Sequence, residues 1–453
     1  MGRPLHPVLP ALRRLDDLSL RWCLRNASLI AALCCVGICK LGTGAPAKRT
    51  FYRDVLPILQ DHCQSCHRPG EIGPMLLLTY RQARPWAKAI RAAVLARKMP
   101  PWFADPRYGH FANDPSLSPQ QLQIIAGWAQ DGAPAGLPAD APLPHPRPAG
   151  WNIGQPDQIF RMPAAFPIPR DQPEIEYQYV IVPTDFREDH WVQQVEIRPG
   201  NRAAVHHAVV YIREPGSDWL RDAPRGSTFT VPDLLPDGSR NPMSGTTSDI
   251  LFTYTPGNLQ DRWAPGMAKL IKAGSELVFQ MHYTATRQCC ADQTSIGLVF
   301  SADTPTERVL TLQMGNSRFV IPPGHPDYRV KVTGTLPNDG RLLSLYPHMH
   351  LRGKSFEYRI AGPETSQTLL KVNNYDFYWQ LTYRLLNPLF LKAGTRLEFT
   401  AVFDNSRNNR KNPDPEAAVH FGSQSTDEMM IGFFDIAVPA GVDKQQYFVR
   451  APR

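Results

Sequence analysis

The chain is poor in cysteine and has no hydrophobic run long enough to cross a membrane. It has 8 Cys among 453 residues, and four of them lie in the first 47 residues. The other four are Cys63, Cys66 and the vicinal pair Cys289 and Cys290, which forms either a strained disulfide or two packed thiols. A disulfide-rich scaffold is therefore excluded. The N-terminal apolar run, residues 27–39, is shorter than the ~20 residues that a membrane-spanning helix needs.

The first 47 residues have the order of a secretory signal peptide. Arginines come first, the apolar run of residues 27–39 follows, and a stretch of small residues ends at Ala47. A membrane anchor is the alternative, but the run is short for one. We expect cleavage, a periplasmic or secreted protein, and no stable membrane span afterwards.

Net charge does not indicate nucleic acid as a partner. The whole chain has 49 Lys+Arg and 41 Asp+Glu, which gives +8. Removal of residues 1–47 takes away six basic and two acidic side chains. It leaves 43 Lys+Arg and 39 Asp+Glu, a net charge of +4. Such an excess is too small to form the basic surface of a nucleic-acid-binding domain.

The pentapeptide CQSCH contains Cys63, Cys66 and His67 in the C-x-x-C-H pattern of c-type haem attachment. The two thiols add to the haem vinyl groups, and the adjacent His becomes an axial ligand of the iron. A thioredoxin-like dithiol would need a βαβ context, and half of a zinc site would need a second Cys pair; the sequence has neither. We predict one covalent haem c.

Residues 48–135 have helical periodicity and are similar to small class I cytochromes c. The last predicted helix has Ser118 as its cap, Pro119 at its first position and Gly132 at its end. Such domains usually take a Met as second axial ligand from the loop before the last helix. Met99 fits that place, and Met75 is the alternative.

The periodicity changes to two after a Pro- and Ala-rich linker, residues 136–152. Stretched as polyproline II at ~3.1 Å per residue, the linker could span about 50 Å, so docked and separated domains are both open. The apolar runs beyond it alternate as strands do, with Gly-, Pro- and Asn-rich turns between them. We predict two all-β antiparallel sandwiches, residues 153–322 and 323–453, after the small all-α domain.

Six potential soft-metal ligands occur in this β-rich part as two trios. They are His206, His207 and His282, and then His348, His350 and Met429. Imidazole binds several transition metals, but a thioether stabilises Cu(I), so a His-Met set indicates copper. Residues two apart in a strand share a face, which places His348 and His350 together. Neighbours such as His206 and His207 point to opposite faces, so joint ligation needs a bulge or a strand end.

The motif order HH, Q-x-H, H-x-H and D-E-M resembles the ascorbate-dependent copper type II monooxygenases, which include peptidylglycine α-hydroxylating monooxygenase and dopamine β-monooxygenase. The resemblance covers residues 153–453 and implies two copper ions. By this resemblance, His206, His207 and His282 hold the copper that supplies electrons. His348, His350 and Met429 likewise hold the copper that binds dioxygen.

Gln280 matches the Gln that precedes the third His of the family. Met430 is an alternative to Met429, although the D-E-M register favours Met429. Tyr346 stands where the peptide-amidating member has an Arg that meets the substrate carboxylate, so a peptidylglycine substrate is not implied. The chain also lacks the many disulfides of the animal members.

The resemblance implies a monooxygenase that hydroxylates an unactivated C–H bond of a small molecule with O₂. Electrons would come from the fused haem, from ascorbate or another external reductant, or from a redox protein partner, and we expect the haem to reduce the copper of the first trio. The alternative is a non-catalytic periplasmic protein that binds copper and transfers electrons. A zinc hydrolase is disfavoured by the Met ligand and by the lack of H-E-x-x-H.

Overall fold

The computed structural model describes residues 48–146, 150–170, 175–237, 239, 241–246, 248–284, 290–362 and 366–447. The predicted signal peptide, residues 1–47, and Cys289 of the vicinal pair lie outside these residues. No helix within the described ranges is long and apolar enough to span a membrane. The prediction of a mainly β chain with few helices is confirmed.

The α-helices all lie before residue 131. A π-helical turn at Phe51–Val55 leads into four of them: α1 Leu56–His62, α2 Tyr80–Ala83, α3 Ala87–Leu95 and α4 Pro119–Gln130. Short 3-10 turns occur at Arg84–Trp86, Pro138–Asp140, Pro242–Ser244 and Lys444–Gln446. The predicted capping box of α4 is present: Ser118 Oγ accepts from the Gln121 amide at 3.2 Å, and Gln121 Oε1 accepts from the Ser118 amide at 2.8 Å.

The rest of the chain forms twenty-two described strands. They are β1 Gln158–Arg161, β2 Phe166–Ile168, β3 Gln178–Pro183, β4 His190–Arg198, β5 Val205–Arg213, β6 Phe229–Thr230, β7 Asp249–Tyr254, β8 Gln260–Arg262, β9 Met267–Ile271, β10 Glu276–Tyr283, β11 Cys290–Asp292, β12 Ser295–Phe300, β13 Glu307–Gly315, β14 Val320–Ile321, β15 Tyr328–Thr335, β16 Gly340–His348, β17 Gly353–Ala361, β18 Ser366–Val372, β19 Tyr383–Leu391, β20 Arg396–Phe403, β21 Val419–His420 and β22 Ile431–Pro439.

Two smaller sheets pack against one large sheet. The large sheet has the order β1-β12-β4-β9-β13-β22-β16-β19, with β8 paired to β4. The sheet β6-β3-β10-β5-β7 shares a hydrophobic core with the first half, and the sheet β15-β20-β17-β18 shares one with the second half. We call these two halves the N-terminal lobe and the C-terminal lobe. The short pairs β2–β11 and β14–β21 lie outside the three sheets.

The two lobes are joined within the large sheet. Strand β9 pairs in parallel with β13, and β13 pairs antiparallel with β22 along nine residues. Phe319 and Ile321, which follow β13, are buried in the core of the C-terminal lobe. Strand β13 contributes to both lobes, because Val309 is buried in the N-terminal core and Leu310 and Leu312 in the C-terminal core, all before the boundary that we predicted at residue 322.

The helical segment has its own core and lies against both lobes. Phe51, Val55, Ile125 and Trp128 are fully buried in that core. The described part of the linker folds back along α1, where the Gln60 side chain donates to the Leu143 carbonyl at 3.3 Å. The linker is thus not an extended spacer, and the docked arrangement is the one that the structure contains.

Candidate metal centre

The first trio of histidines is brought together by a β-bulge. Strands β5 and β10 are antiparallel neighbours, and His207 lies opposite His282. The register shifts at the next position, because Tyr283 lies opposite Val205, so His206 is the extra residue of the bulge. One ligand nitrogen from each of the three rings lies within 4.8 Å of the others. The bulge that joint ligation required is therefore present.

The ring nitrogens of this trio are prepared for a metal ion. His206 Nε2 lies 3.2 Å from the Phe377 carbonyl oxygen, which can only accept, so Nε2 carries the proton and Nδ1 keeps its lone pair. His206 Nδ1 is 3.1 Å from His207 Nδ1. Among the described residues, His282 Nδ1 is a buried nitrogen without a hydrogen-bond partner. A metal ion would satisfy a nitrogen that otherwise loses its solvation.

Burial keeps the trio neutral, which is the state that binds metal. The three side chains are about 5% exposed. Desolvation lowers the pKa of His206 to about 4. It also lowers the pKa of His207 and of His282 well below the ordinary value, and the neighbouring imidazoles add to this effect.

The second pair of histidines lies at the end of β16. His348 is the last residue of the strand, and His350 follows in the turn, with their ring centroids 5.3 Å apart. Met349 between them is fully buried in the C-terminal core, on the other side of the backbone as predicted. His348 Nδ1 donates to Gln380 Oε1 at 2.7 Å, which leaves Nε2 for a ligand.

His350 is held in the same way by the backbone of the D-E-M segment. Its Nδ1 donates to the Asp427 carbonyl at 3.3 Å, and its Nε2 is buried without a hydrogen-bond partner in the described part of the chain. Burial again lowers the pKa of His350 well below its ordinary value. Nε2 of His350 and Nε2 of His348 are therefore the nitrogens open to an ion.

Glu428 explains why D-E-M stands near H-x-H. This buried carboxylate accepts the backbone N–H groups of His350 at 2.9 Å, Arg352 at 2.6 Å and Met429 at 3.3 Å. Burial raises its pKa to about 8, although these N–H groups act in the opposite direction. These hydrogen bonds fix Glu428 against the His350 turn, and Met429 follows Glu428 directly.

The two candidate methionines have different surroundings. Met430 is fully buried and belongs to the hydrophobic core of the C-terminal lobe. Met429 is half-buried and directly follows Glu428, beside the His350 turn. Packing accounts for Met430, whereas Met429 remains the predicted ligand.

The two trios lie side by side, which the sequence did not indicate. The ring centroids of His207 and His348 are 6.0 Å apart, although one belongs to the N-terminal lobe and the other to the C-terminal lobe. Phe377 lies between the lobes, with its ring 4.1 Å from His206 and 6.2 Å from His350. Five imidazoles thus form one buried cluster.

Sequence reasoning missed the residues that support this cluster. The Phe377 carbonyl accepts from His206, and the Gln380 side chain accepts from His348. Tyr177 packs its ring 4.9 Å from that of His282. The aromatic-rich stretch of residues 375–380, without strand periodicity, was the available signal. Gln280 was singled out in the sequence. Its Nε2 donates to the Tyr179 hydroxyl at 2.5 Å, and its Oε1 accepts from the Tyr211 hydroxyl at 3.4 Å.

The C-x-x-C-H residues form a turn directly after α1. The amides of Cys66 and His67 both donate to the Cys63 carbonyl, at 3.2 and 3.0 Å. His67 Nδ1 donates to the Met75 carbonyl at 3.0 Å, so Nε2 is the nitrogen left for iron. Burial raises the pKa of the Cys63 thiol to about 12. The residues present fit a covalent haem with His67 as axial ligand.

The two candidates for the second axial ligand differ in position. Met75 supplies its carbonyl to the Nδ1 side of His67, and its side chain packs against the helical core. An iron bound through Nε2 would lie away from the Met75 carbonyl, which favours Met99 over Met75. Met99 is half-buried and lies beyond the end of α3, before the segment that contacts the C-terminal lobe. Met99 remains the predicted ligand.

Comparisons with known proteins do not assign a family. No protein-family model matches the chain, and no curated protein matches it. Among solved structures, the major capsid protein P2 from bacteriophage PM2 is 11% identical, with a TM-score of 0.27, over 62% of this chain and 99% of that one.

Other solved structures are similarly remote. The VP2 subviral particle of infectious bursal disease virus is 8% identical, with a TM-score of 0.18, over 65% of this chain and 76% of that one. Allantoicase from Saccharomyces cerevisiae is 8% identical, with a TM-score of 0.16, over 52% of this chain and 78% of that one. Likenesses this weak carry no argument about fold or function.

Proposed function

We propose that this protein is a copper-dependent monooxygenase that hydroxylates an unactivated C–H bond of a small molecule with O₂. The observation that carries the proposal is the cluster of five buried, neutral imidazoles, with the backbone of Met429 bonded to the carboxyl group that also accepts from the His350 amide. Three rings offer nitrogens in the N-terminal lobe and two in the C-terminal lobe. This division matches the His₃ and His₂Met sets implied by the family resemblance.

Copper ions held by these sets would supply one-electron redox chemistry and reactivity toward O₂. The protein's own residues fix the ligands. The Phe377 carbonyl sets the tautomer of His206, and Gln380 sets that of His348. Glu428 holds the Met429 segment in place through three backbone N–H groups. Little reorganisation of the ligands would then accompany a change of oxidation state.

A covalent haem at Cys63, Cys66 and His67 would supply a one-electron redox group within the same chain. His67 Nε2 is free because Nδ1 is committed to Met75. Ascorbate or a redox protein partner would then reduce either the haem or the copper ions.

Metal and haem content and oxygen uptake test this proposal together. We expect two copper ions and one haem per chain after maturation in a periplasm, and substrate-dependent O₂ consumption. His348→Ala is expected to lose one copper and the O₂ consumption while keeping the haem. Zinc in place of copper, or two coppers without O₂ consumption under any reductant and substrate, would contradict the proposal.

The second candidate is a non-catalytic copper and electron carrier. The burial of the cluster favours it, because all five imidazoles are at most 7% exposed and dioxygen needs access to the metal. The measurement of metal content, haem content and oxygen uptake distinguishes the two candidate functions. A carrier would bind both metals and exchange electrons, but it would not consume oxygen in proportion to a hydroxylated product.

A further inference from the structure

The turn that follows the C-x-x-C-H residues is clamped to the N-terminal lobe by a buried ion triad. The Glu71 carboxylate lies 3.2 Å from Arg68 Nη2 and 3.4 Å from Arg202 Nη2. Its side chain is 2% exposed, and those of the two arginines are 12% and 11% exposed. Arg68 and Glu71 belong to the helical segment, whereas Arg202 belongs to the loop before β5. We call these three residues the clamp.

The clamp continues into a wider polar network. Arg68 Nη2 also donates to Asn152 Oδ1 at 2.5 Å, and Asn152 Nδ2 donates to Glu196 Oε1 at 3.0 Å. Glu196 is fully buried in β4. In the docked state, loss of either arginine would leave the buried carboxylate as a poorly compensated charge, so the contact depends on all three groups. The docked position is therefore defined by charge and geometry together.

The clamp lies between the two predicted redox groups. Arg68 directly follows His67, and Arg202 of the N-terminal lobe pairs with the same carboxylate as Arg68. Arg202 precedes His206 by four residues, which span at most about 14 Å. The amide of Val205 donates to the Asn201 carbonyl at 3.1 Å, a turn that keeps this distance shorter.

A second contact anchors the helical segment to the C-terminal lobe. Residues 102–113, which we call the strap, make β-bridges from Ala104 to Val372 and from Phe111 to Leu385. The Trp102 ring lies 4.7 Å from that of Tyr383. With two anchors on two lobes, the helical segment has no free rotation about a tether.

We propose that electrons enter the metal centre across the docked surface between the C-x-x-C-H turn and the Arg202 loop. The clamp holds this surface together, and Glu71 is its positioning residue. This inference rests on the proposed function. One electron would leave the ferrous haem and reduce one cupric ion at His206, His207 and His282, with no bond formed and no proton transferred. The ferric haem is then reduced again by an external donor.

Flash reduction tests the interface without oxygen or substrate. A photochemical donor reduces the haem within the oxidised holoprotein, and the decay of the ferrous α-band is followed with the loss of the cupric EPR signal. Glu71→Gln removes the charge at nearly constant volume. We expect the electron-transfer rate to fall at least tenfold, with the copper content, the haem content and the static haem spectrum retained.

Two further variants and a second readout complete the test. Glu416→Gln is the matched control, since Glu416 forms an exposed ion pair with Arg407, and its rate should equal that of the parent. Glu71→Asp keeps a carboxylate beside the two arginines and should retain most of the rate. Hydrogen exchange of the turn between Cys63 and Met75 should rise in Glu71→Gln and stay near the parent level in Glu71→Asp.

The outcomes separate this inference from the proposed function. Equal rates and equal exchange in Glu71→Gln and the parent would overturn the inference, and so would a parent haem that stays reduced while cupric ion is present. Fast transfer in the parent, slowed in Glu71→Gln, would support it even if no substrate is ever hydroxylated. In that case the proposed monooxygenase alone would fail, and the protein would be an electron carrier.

Discussion

At the scale of single residues, the five imidazoles have one property in common that no sequence motif shows. Each is buried and neutral, and each that can be assigned has one nitrogen committed to an oxygen acceptor and the other left open. Neutral, oriented imidazole is the form that binds a transition metal. The site is therefore organised before the metal arrives.

Acid should destabilise the metal-free protein because of these rings. The pKa of His206 is about 4 in the fold and about 6.5 in the unfolded chain. The unfolded chain binds the proton more tightly, so stability falls as the pH drops from about 6.5 toward 4. His206 alone accounts for up to roughly 3 kcal/mol at pH 4.

Urea denaturation of the metal-free protein at pH 7, 6 and 5 measures this loss. His206→Gln serves as the comparison, because it removes the titrating ring while keeping a polar side chain. The fall in unfolding free energy between pH 7 and pH 5 should be smaller in that variant. An equal fall in both proteins would show that His206 is not held neutral.

The two methionines of the D-E-M segment should respond differently to substitution. Met429→His replaces a thioether by a harder ligand, so it should keep one copper but weaken Cu(I) binding more than Cu(II) binding, and hydroxylation should fall steeply. Met430→Ala should instead lower the unfolding free energy by about 2–5 kcal/mol through a cavity, with copper binding retained.

Competition titrations with Cu(I) and Cu(II) chelators, paired with urea denaturation, distinguish the two effects. Met430→Leu is the conservative control for the cavity. Unchanged Cu(I) affinity and turnover in Met429→His would make Met429 a packing residue and Met430 the ligand to test next.

At the scale of structural elements, the strap and the bulge decide where ligands lie. The strap pairs with β18 and β19, which are the last strands of their sheets, and so covers two edges that would otherwise be open. Only Pro100 and Pro101 separate Met99 from the strap. The position of the predicted axial methionine is thereby tied to the C-terminal lobe.

Met99→Ala should remove the near-infrared sulfur–iron band of the oxidised haem, because the thioether is the ligand that produces it. The haem should remain covalently attached through Cys63 and Cys66. Visible and near-infrared spectra of the oxidised protein provide the measurement. Met75→Ala is the matched variant, and its band should persist; loss of the band in Met75→Ala alone would reverse the assignment.

At the scale of the whole molecule, the helical segment and the two lobes each have a hydrophobic core. The clamp and the strap connect the helical segment to the two lobes. The predicted copper ligands and the predicted haem ligands are different residues in different segments, so each site should form without the other.

Cys63→Ala together with Cys66→Ala should therefore produce a colourless protein that still binds two copper ions. Neither thiol belongs to the imidazole cluster, and the Cys63 side chain packs only at the margin of the helical core. Absorbance at the Soret band and metal quantification after periplasmic expression measure the outcome. A haem that remains covalently attached in the double variant would contradict the assignment of these thiols.

The sequence by itself determined the chemistry that depends on short spacings. C-x-x-C-H specifies a turn, alternation specifies strands, and the Ser118 cap specifies the start of α4; each depends on residues a few positions apart. The six candidate metal ligands also stood out, because imidazole and thioether in repeated motifs indicate soft-metal binding. The bulge at His206 was required by adjacent ligands on a strand.

Only the tertiary structure decided which distant segments of the chain contact each other. The Phe377 carbonyl that orients His206 is 171 residues away in sequence, and any residue has a carbonyl, so no side-chain pattern marks it. The approach of His207 to His348 and the contact of Glu71 with Arg202 join separate elements in the same way. These contacts depend on how sheets and lobes pack, and packing is a property of the whole chain rather than of any local stretch.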